Sequence, residues 1–376
     1  MPLESDLAVW TVRHLLNPLH LGIAGVQMRR RPDTWRVMGA LAPLVVASLD
    51  EAPGPGWDET VATLGGCVFH SRGFGLACAD LGGERHFLVF RRDGRNVGYA
   101  VATSERTRWR PLGWARDRLS LGSPPVLAAE ATRAEALQAL GEFARRRGYG
   151  HVHISSFGDP RPTDPLPTAS SRLRRTGRLE YRVPLGPDFP ATLARMSATH
   201  RRKVRKALEA GFVFEEQSTL EGALRVHAAH TQTFERRQAR GEEAGVWDIA
   251  DFQRRMEAYL RHGIIRFHFT VQGGETLTAI GTMPFGRTAY YLVGGSTPRG
   301  IEQQTGFAMF GYTIQRLVAE GVTEFNLGGT SIEARDASSA EHGLYRYKAG
   351  YGGQVLELAH LDLRVAAWPW WPVTRG

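Results

Sequence analysis

Two passages of this chain repeat one pattern, and that repeat restricts the fold more than any other feature. FLVFRRDGRNVGYAVAT runs on to GEFARRRGYGHVHIS, and FHFTVQGGETLTAIGTM runs on to TIQRLVAEGVTEFNL. In the first, an apolar strand at Leu44–Ser48 and a helix near Trp57–Gly65 precede strands His86–Arg91 and Asn96–Thr103, joined at Arg92-Asp93-Gly94-Arg95. A helix over Ala131–Arg147 follows, then Gly148 and strand His151–Ser155. In the second, strand Arg178–Val183 leads to helices within Ser197–Ala210 and Leu220–Arg240. Strands Ile264–Val271 and Leu277–Pro284 then flank Gln272-Gly273-Gly274-Glu275, before strand Ala289–Gly294, helix Thr305–Glu320, Gly321 and strand Glu324–Leu327. A duplicated unit of this kind is α+β and argues against a uniformly alternating parallel sheet. The expected division is an extension at 1–40, a first domain at 41–165, a second at 178–362 and a Trp-rich tail at 363–376. The Pro/Ser/Thr-rich stretch Asp159–Ser171 supplies the connection, with the linker proper at 166–177.

Composition removes several classes of function. With 376 residues, 42% apolar and 23% charged, the chain is neither disordered nor fibrous. Cys67 and Cys78 form no metal-ligand spacing and no disulfide scaffold, so no metal is expected and a reducing compartment is. The 47 Lys and Arg exceed the 38 Asp and Glu and favour an anionic partner. No run of about 18 apolar residues exists to span a bilayer. The acidic start Met1–Asp6 does not read as a secretory signal, and Arg29-Arg30-Arg31 before Met38–Ser48 only mimics one. The expectation is a cytoplasmic protein. Residues 1–40, with Val9, Val12, Leu15, Leu16 and Leu19 at helical spacing, and Trp368, Trp370 and Trp371 also suit a peripheral contact at the inner face of the membrane.

Three segments carry candidate chemistry. The helix MSATHRRKVRKALEAG opens at Ser197, closes at Gly211 and buries Val204 and Leu208, leaving Arg201, Arg202, Arg205 and Lys206 as a solvated basic face or a phosphate-binding edge. The segment GSTPRGIEQQTGFAMF leads from a strand ending at Gly294 into a helix. There Gln303, Gly306 and Ala308 fit the Q/R-x-x-G-x-G/A pattern of acetyl-CoA-dependent N-acetyltransferases. The pattern also occurs at Arg72, Arg95, Arg110 and Arg145, but only the Gln303 match follows a strand and opens a long helix, where free amides hold pyrophosphate. In FNLGGTSIEARDASSAEHGLYRYKAGYGG, Tyr345, Tyr347 and Lys348 sit on a short helix. Lys348 suits an oxyanion or a phosphate, and a tyrosine suits protonation of a leaving group; a lysine near a helix C-terminus explains the spacing equally well. His151 and His153 share a strand face without a third ligand and read as structural. Glu215, Glu216 and Glu235 are candidate bases that the sequence does not rank.

THRRKVRKALEAG, YYLVGGS, FNLGGT and HGLYRYKAGYGG, in that order, resemble the FemAB-like branch of the GNAT superfamily over roughly residues 41–362. That branch includes peptidoglycan interpeptide-bridge aminoacyltransferases and acetyltransferases linked to cellulose and exopolysaccharide synthesis. The resemblance implies two tandem GNAT folds with a substrate cleft between them. It gives Arg201, Arg202, Arg205 and Lys206 to substrate phosphate or backbone contacts, and Lys348 to transition-state charge or donor phosphate. Leu220–His262 has room for helices but not for a long paired helical arm. The Gln303 motif leans towards acyl-CoA as donor, with aminoacyl-tRNA as the alternative. The expected acceptor is a small or lipid-linked amine. A nucleic-acid-binding protein built on the basic helix is the non-enzymatic alternative; no DNA-reading module accompanies that helix, and no DNA partner is expected. A membrane-surface scaffold held by the two ends of the chain is another.

Overall fold

The structure is a computed structural model that describes residues 42–105, 117–240 and 245–365. The first repeat comprises β1 (Val45–Leu49), α1 (Gly56–Thr63), α2 (Arg72–Asp80), β2 (Glu84–Arg92), β3 (Arg95–Glu105), β4 (Arg118–Leu121), β5 (Val126–Leu127), α3 (Arg133–Arg146) and β6 (His151–Ile154). A long strand, β7 (Leu173–Pro184), follows. The second repeat comprises α4 (Phe189–Arg195), α5 (Ala198–Leu208), β8 (Val213–Gln217), α6 (Leu220–Ala239), α7 (Ile249–Arg261), β9 (Arg266–Gln272), β10 (Glu275–Phe285) and β11 (Thr288–Ser296). It closes with α8 (Pro298–Glu302), α9 (Thr305–Ala319), β12 (Glu324–Thr330), α10 (His342–Ala349) and β13 (Gln354–Arg364).

Local chemistry accounts for the repeat. Both hairpins turn through two left-handed residues, Asp93 (φ 49°) with Gly94 (φ 76°), and Gly273 (φ 60°) with Gly274 (φ 81°). Such turns match the twist of the flanking strands. Thr132 and Glu135 form a reciprocal capping box that starts α3, whose Leu137, Leu140 and Phe143 face the core. Ser197 caps α5 by accepting from His200 N.

The two repeats make one mixed sheet in the order β1-β2-β3-β4-β6-β13-β7-β12-β11-β10-β9-β8, with β5 on β3. Each half gives a strand to the other. β7 follows the first repeat but lies on β12 of the second, and β13 ends the second but lies on β6 of the first. Between them, β7 and β13 run antiparallel from Gln354↔Arg182 to Leu363↔Leu173. A shared core seals the join: Phe69, Ala77 and Leu81 of the first half pack with Phe252, Met256 and Tyr259 of the second.

The α+β class expected from the sequence is the one observed. The strand expected from Arg178 begins at Leu173, and α2, β4, β5, α4, β8, α8 and β13 were not expected at all. β13 explains its own silence. Its faces read Gln-Leu-Leu-His-Asp-Arg and Val-Glu-Ala-Leu-Leu, so neither is cleanly apolar, because the strand is buried in its middle between two units. The extension at 1–40 and the tryptophans of the tail lie outside the described residues. Among the described residues, no helix is long and apolar enough to cross a membrane.

Candidate active site

The sheet opens at one place. β11 and β12 are parallel neighbours through Thr288↔Glu324, Ala289↔Phe325 and Tyr290↔Asn326, and there their pairing stops. Beyond that point β11 stays with β10 as far as Ser296, and β12 stays with β7 as far as Thr330. The cause is the sequence Asn326-Leu327-Gly328-Gly329. Asn326 Oδ1 accepts from Gly328 N at 2.9 Å, Gly328 takes φ 69°, and the ladder to β7 shifts register between Asn326 and Gly329. A side-chain turn inside a strand bends it away from its neighbour. The counterpart pair in the first half shows no such gap: β4 and β6 stay in register from Arg118↔His151 to Leu121↔Ile154, and Ser155 N continues to Leu121 O.

A cavity of about 350 Å³ lies beside the gap, walled by Ile280, Tyr291, Phe307, Phe310 and Tyr347, with Thr233 and Arg236 from α6. Glycines let these elements come close. A Cβ on Gly295 would lie 2.2 Å from Ala229 O, so α6 rests directly on β11. Thr305 roots the start of α9 by donating to Gly300 O (3.0 Å) and sharing a hydrogen bond with Thr278 Oγ1 (2.7 Å). The leading amides of a helix lack intrahelical partners, so this wall, apart from Phe307 N, which donates to Gln304 O (3.0 Å), suits an anion.

Lys348 bridges the gap itself. Its Nζ donates to Gly329 O on β12 at 3.1 Å and lies 5.8 Å from the Tyr291 ring on β11 and 5.6 Å from the Tyr181 ring on β7. Burial, and next the neighbouring Arg178 charge, bring its pKa down to about 7. Glu341 accepts from Arg237 (3.2 Å) and from Ser331 N (3.0 Å) close by. Tyr351 donates to Tyr347 Oη at 2.9 Å, and burial pushes both phenols well above their usual range, so each keeps its proton.

Of the residues singled out in the sequence, Gly294, Gly306 and Tyr347 line the cavity. Lys348 is in the gap behind Tyr291, and Tyr345 packs against Tyr181, with ring centroids 6.1 Å apart. Gln303 is exposed at the end of α8, and Ala308 is buried within α9. The basic helix α5 turns Val204 onto Gly311 of α9 and leaves Arg202, Arg205 and Lys206 exposed, while Arg201 donates to Ala194 O. Its one cation over the cavity wall is Lys203, whose Nζ stands 4.8 Å above the Phe307 ring. Glu215 pairs with Arg225 (2.7 Å), Glu216 lies among Arg266, His268 and Arg316, and Glu235 is exposed. None of the three lines the cavity. His153 is held by Asp362 (2.7 Å) and Ser155 (3.2 Å).

Sequence reasoning passed over Arg178, Glu180, Arg236, Arg237 and Glu341. A signal existed for the first two. Arg178, Glu180 and Arg182 recur at every second position of the expected strand, which places three charges on one face of an element destined for the interior.

A Gly306→Val variant tests the cavity wall. Its Cβ alone would stand 3.1 Å from Tyr347 Oη, so the branched side chain projects into the cavity beside that tyrosine. Donor affinity is expected to fall about tenfold or more, the order of a pocket filled by two methyl groups, with far-UV dichroism unchanged.

Residues 194–349 match the acetyltransferase (GNAT) domain family. No curated protein matches the chain in sequence. Among solved structures, FemX is similar over 81% of this chain and 95% of its own, with TM-score 0.62 and 16% identity. The tandem GNAT protein from the clavulanic acid biosynthesis pathway is similar over 87% and 100%, with TM-score 0.47 and 11% identity. L-PGS from Bacillus licheniformis is similar over 85% and 94%, with TM-score 0.45 and 16% identity. The second repeat of this chain is therefore similar to the acetyltransferase (GNAT) domain family over residues 194–349, and it is set in a sheet with the fold of FemX.

Proposed function

We propose that the protein is an N-acyltransferase that moves an acyl group from acyl-CoA to an amine of a cell-envelope or exopolysaccharide precursor. One observation carries this reading: β11 and β12 part beside a cavity that ends at the start of α9, with Lys348 in the opening. Beyond Tyr290 the edge of β11 that faces the gap is released from β12. Its backbone polar groups are then available to align a thioester arm and polarise the carbonyl. The apolar wall of Ile280, Phe307 and Phe310 suits the arm and the acyl chain. The start of α9 and Lys203 suit the carrier's phosphates. Lys348 and the protonated Tyr347 balance charge as the thiolate leaves, and much of the rate comes from holding both substrates together.

The test is calorimetry with acetyl-CoA and longer acyl-CoAs. One equivalent per chain is expected, because among the described residues only the second half has an open strand pair. Two equivalents, or none, contradict the reading. The exposed Arg202, Arg205 and Lys206, which make no ion pair among the described residues, favour a second reading with aminoacyl-tRNA as donor to a peptidoglycan precursor. Binding of charged tRNA that weakens steeply with salt, together with no affinity for CoA, would replace the first reading by the second. A peripheral membrane contact through residues 1–40 and the Trp-rich tail is checked by liposome flotation of the full chain and of a chain trimmed at both ends. An unchanged distribution removes it.

A further inference from the structure

Only three of the 47 basic residues are lysines, at 203, 206 and 348. Arginine stays charged in proteins, whereas lysine can give up its proton when desolvated. Among these three, Lys348 alone is buried. Among the described residues its Nζ has a single polar contact, the hydrogen bond to Gly329 O, and no carboxylate pairs with it. The acids that act on it are committed to arginines. Glu341 is held by Arg237 and Ser331 N, and Glu180 by Arg182 (3.0 and 3.2 Å), by Gly158 N (3.2 Å) and by Arg178 (3.5 Å). A buried ammonium without a counter-ion is costly, and the neutral amine avoids that cost.

Arg178 reaches the same residue from the other face of the sheet. A Cβ on Gly329 would lie 2.0 Å from Arg178 Nη2, so the guanidinium rests directly on the glycine whose carbonyl Lys348 holds. The Phe157 ring fixes it from behind, 4.5 Å from Cζ. Its Nη1 is shielded from solvent and, among the described residues, makes no hydrogen bond beyond the 3.5 Å ion pair with Glu180.

We propose that Lys348 enters the transfer as a neutral amine and removes the proton from the attacking ammonium, and that Arg178 is the positioning residue that holds it neutral across Gly329. This rests on the acyl-transfer reading above. The groups that face Lys348 are Arg178, Glu180 and Tyr181 from β7, Tyr290 and Tyr291 from β11, Arg237 from α6, and Glu341 and Tyr345 at α10. Two of these are cations close to Nζ. Loss of the Arg178 charge therefore raises the Lys348 midpoint.

The acceptor ammonium passes one proton to Nζ, and the freed lone pair forms the N–C bond while the carbonyl π pair moves to oxygen. That pair returns, the C–S bond breaks, and its electrons leave on sulfur. The Lys348 ammonium protonates the thiolate. Neutral again, it takes the second proton from the amide nitrogen and releases it to water.

The test is nuclear magnetic resonance of the full chain carrying lysine labelled with ¹³C at Cε. Three lysine signals are expected, and Lys348→Met removes the one that matters. In the wild-type protein that signal should titrate near pH 7. In Arg178→Met its midpoint should rise by about one pH unit, the order of a single close charge, and in Arg178→Lys it should return to the wild-type value. A wild-type signal still charged at pH 9, or an unmoved midpoint in a folded Arg178→Met, overturns the proposal. Should that variant fail to fold, the wild-type titration decides alone. Lys348→Arg keeps the charge but takes no proton. More than a tenth of wild-type thiol release from acetyl-CoA in that variant overturns the proton-acceptor role. Donor binding measured on the same wild-type sample separates the two levels: its absence removes the acyl-transfer reading and leaves the titration result standing.

Discussion

Replacing Lys348 with alanine is expected to slow turnover by about 10²–10⁴, the usual contribution of a placed proton-transfer group, while donor affinity changes little. The Lys348 side chain lies behind Tyr291 rather than in the cavity wall, so the wall that meets the donor stays in place. The fold should survive as well, because a buried amine without a carboxylate partner does not hold elements together. Stability against pH gives an independent check. The folded-state pKa of Lys348 is lowered to about 7, so between about pH 7 and the ordinary lysine value the unfolded chain carries a proton that the folded chain lacks. Stability attributable to this residue therefore rises with pH through that window. Relative to Lys348→Met, the wild-type protein should gain about 2 kcal/mol between pH 7 and pH 9, at up to about 1.4 kcal/mol per unit. Urea unfolding at the two pH values measures it, and parallel curves for the two proteins would contradict a lowered lysine. Near wild-type turnover in Lys348→Ala would remove the residue from the chemistry altogether.

The second large effect falls on stability. Glu180 is fully buried on β7, the strand that the first half gives to the second, and it accepts two hydrogen bonds from Arg182 and one from Gly158 N, with Arg178 beside it. Glu180→Ala leaves two buried guanidinium groups without their shared anion. Breaking such a cluster costs about 3–5 kcal/mol, because the remaining charges stay desolvated. Glu180→Gln, which keeps an acceptor of the same shape, should cost less. Chemical denaturation monitored by tryptophan fluorescence orders the three proteins. A loss below about 1 kcal/mol in Glu180→Ala, the scale of an exposed ion pair, would show that water or a rearranged side chain replaces the carboxylate.

The halves of this molecule were legible because each carries its own punctuation. Two left-handed residues in each hairpin, and a glycine after each long helix (Gly148 at φ 79°, Gly321 at φ 79°), are local signals that act within a few residues. How the halves are joined was not legible. β7 and β13 are exchanged between units, and the pairing of residues as distant as Leu173 and Leu363 leaves no local trace. The same division holds for the site. Gly294, Gly306, Tyr347 and Lys348 stand in segments whose strand-to-helix context is local, and they meet around the gap. Arg178 and Arg236 reach the neighbourhood from elements far away in the chain; the alternation of Arg178, Glu180 and Arg182 marks a charged strand face but does not place it beside the gap. The basic run of α5 misled for a related reason. Five cations draw the eye, but helix geometry sends Arg202, Arg205 and Lys206 outward and leaves only Lys203 over the cavity wall.

The central claim, that the parted strands of the second repeat receive a carrier-bound acyl group, is tested most directly by a crystal structure with acetyl-CoA and the slow Lys348→Ala variant. The expected result is one donor per chain, its thioester between Tyr291 and Gly328 and its pyrophosphate at the start of α9. A donor bound against β4 and β6 of the first repeat, or none at saturating concentration, would contradict it.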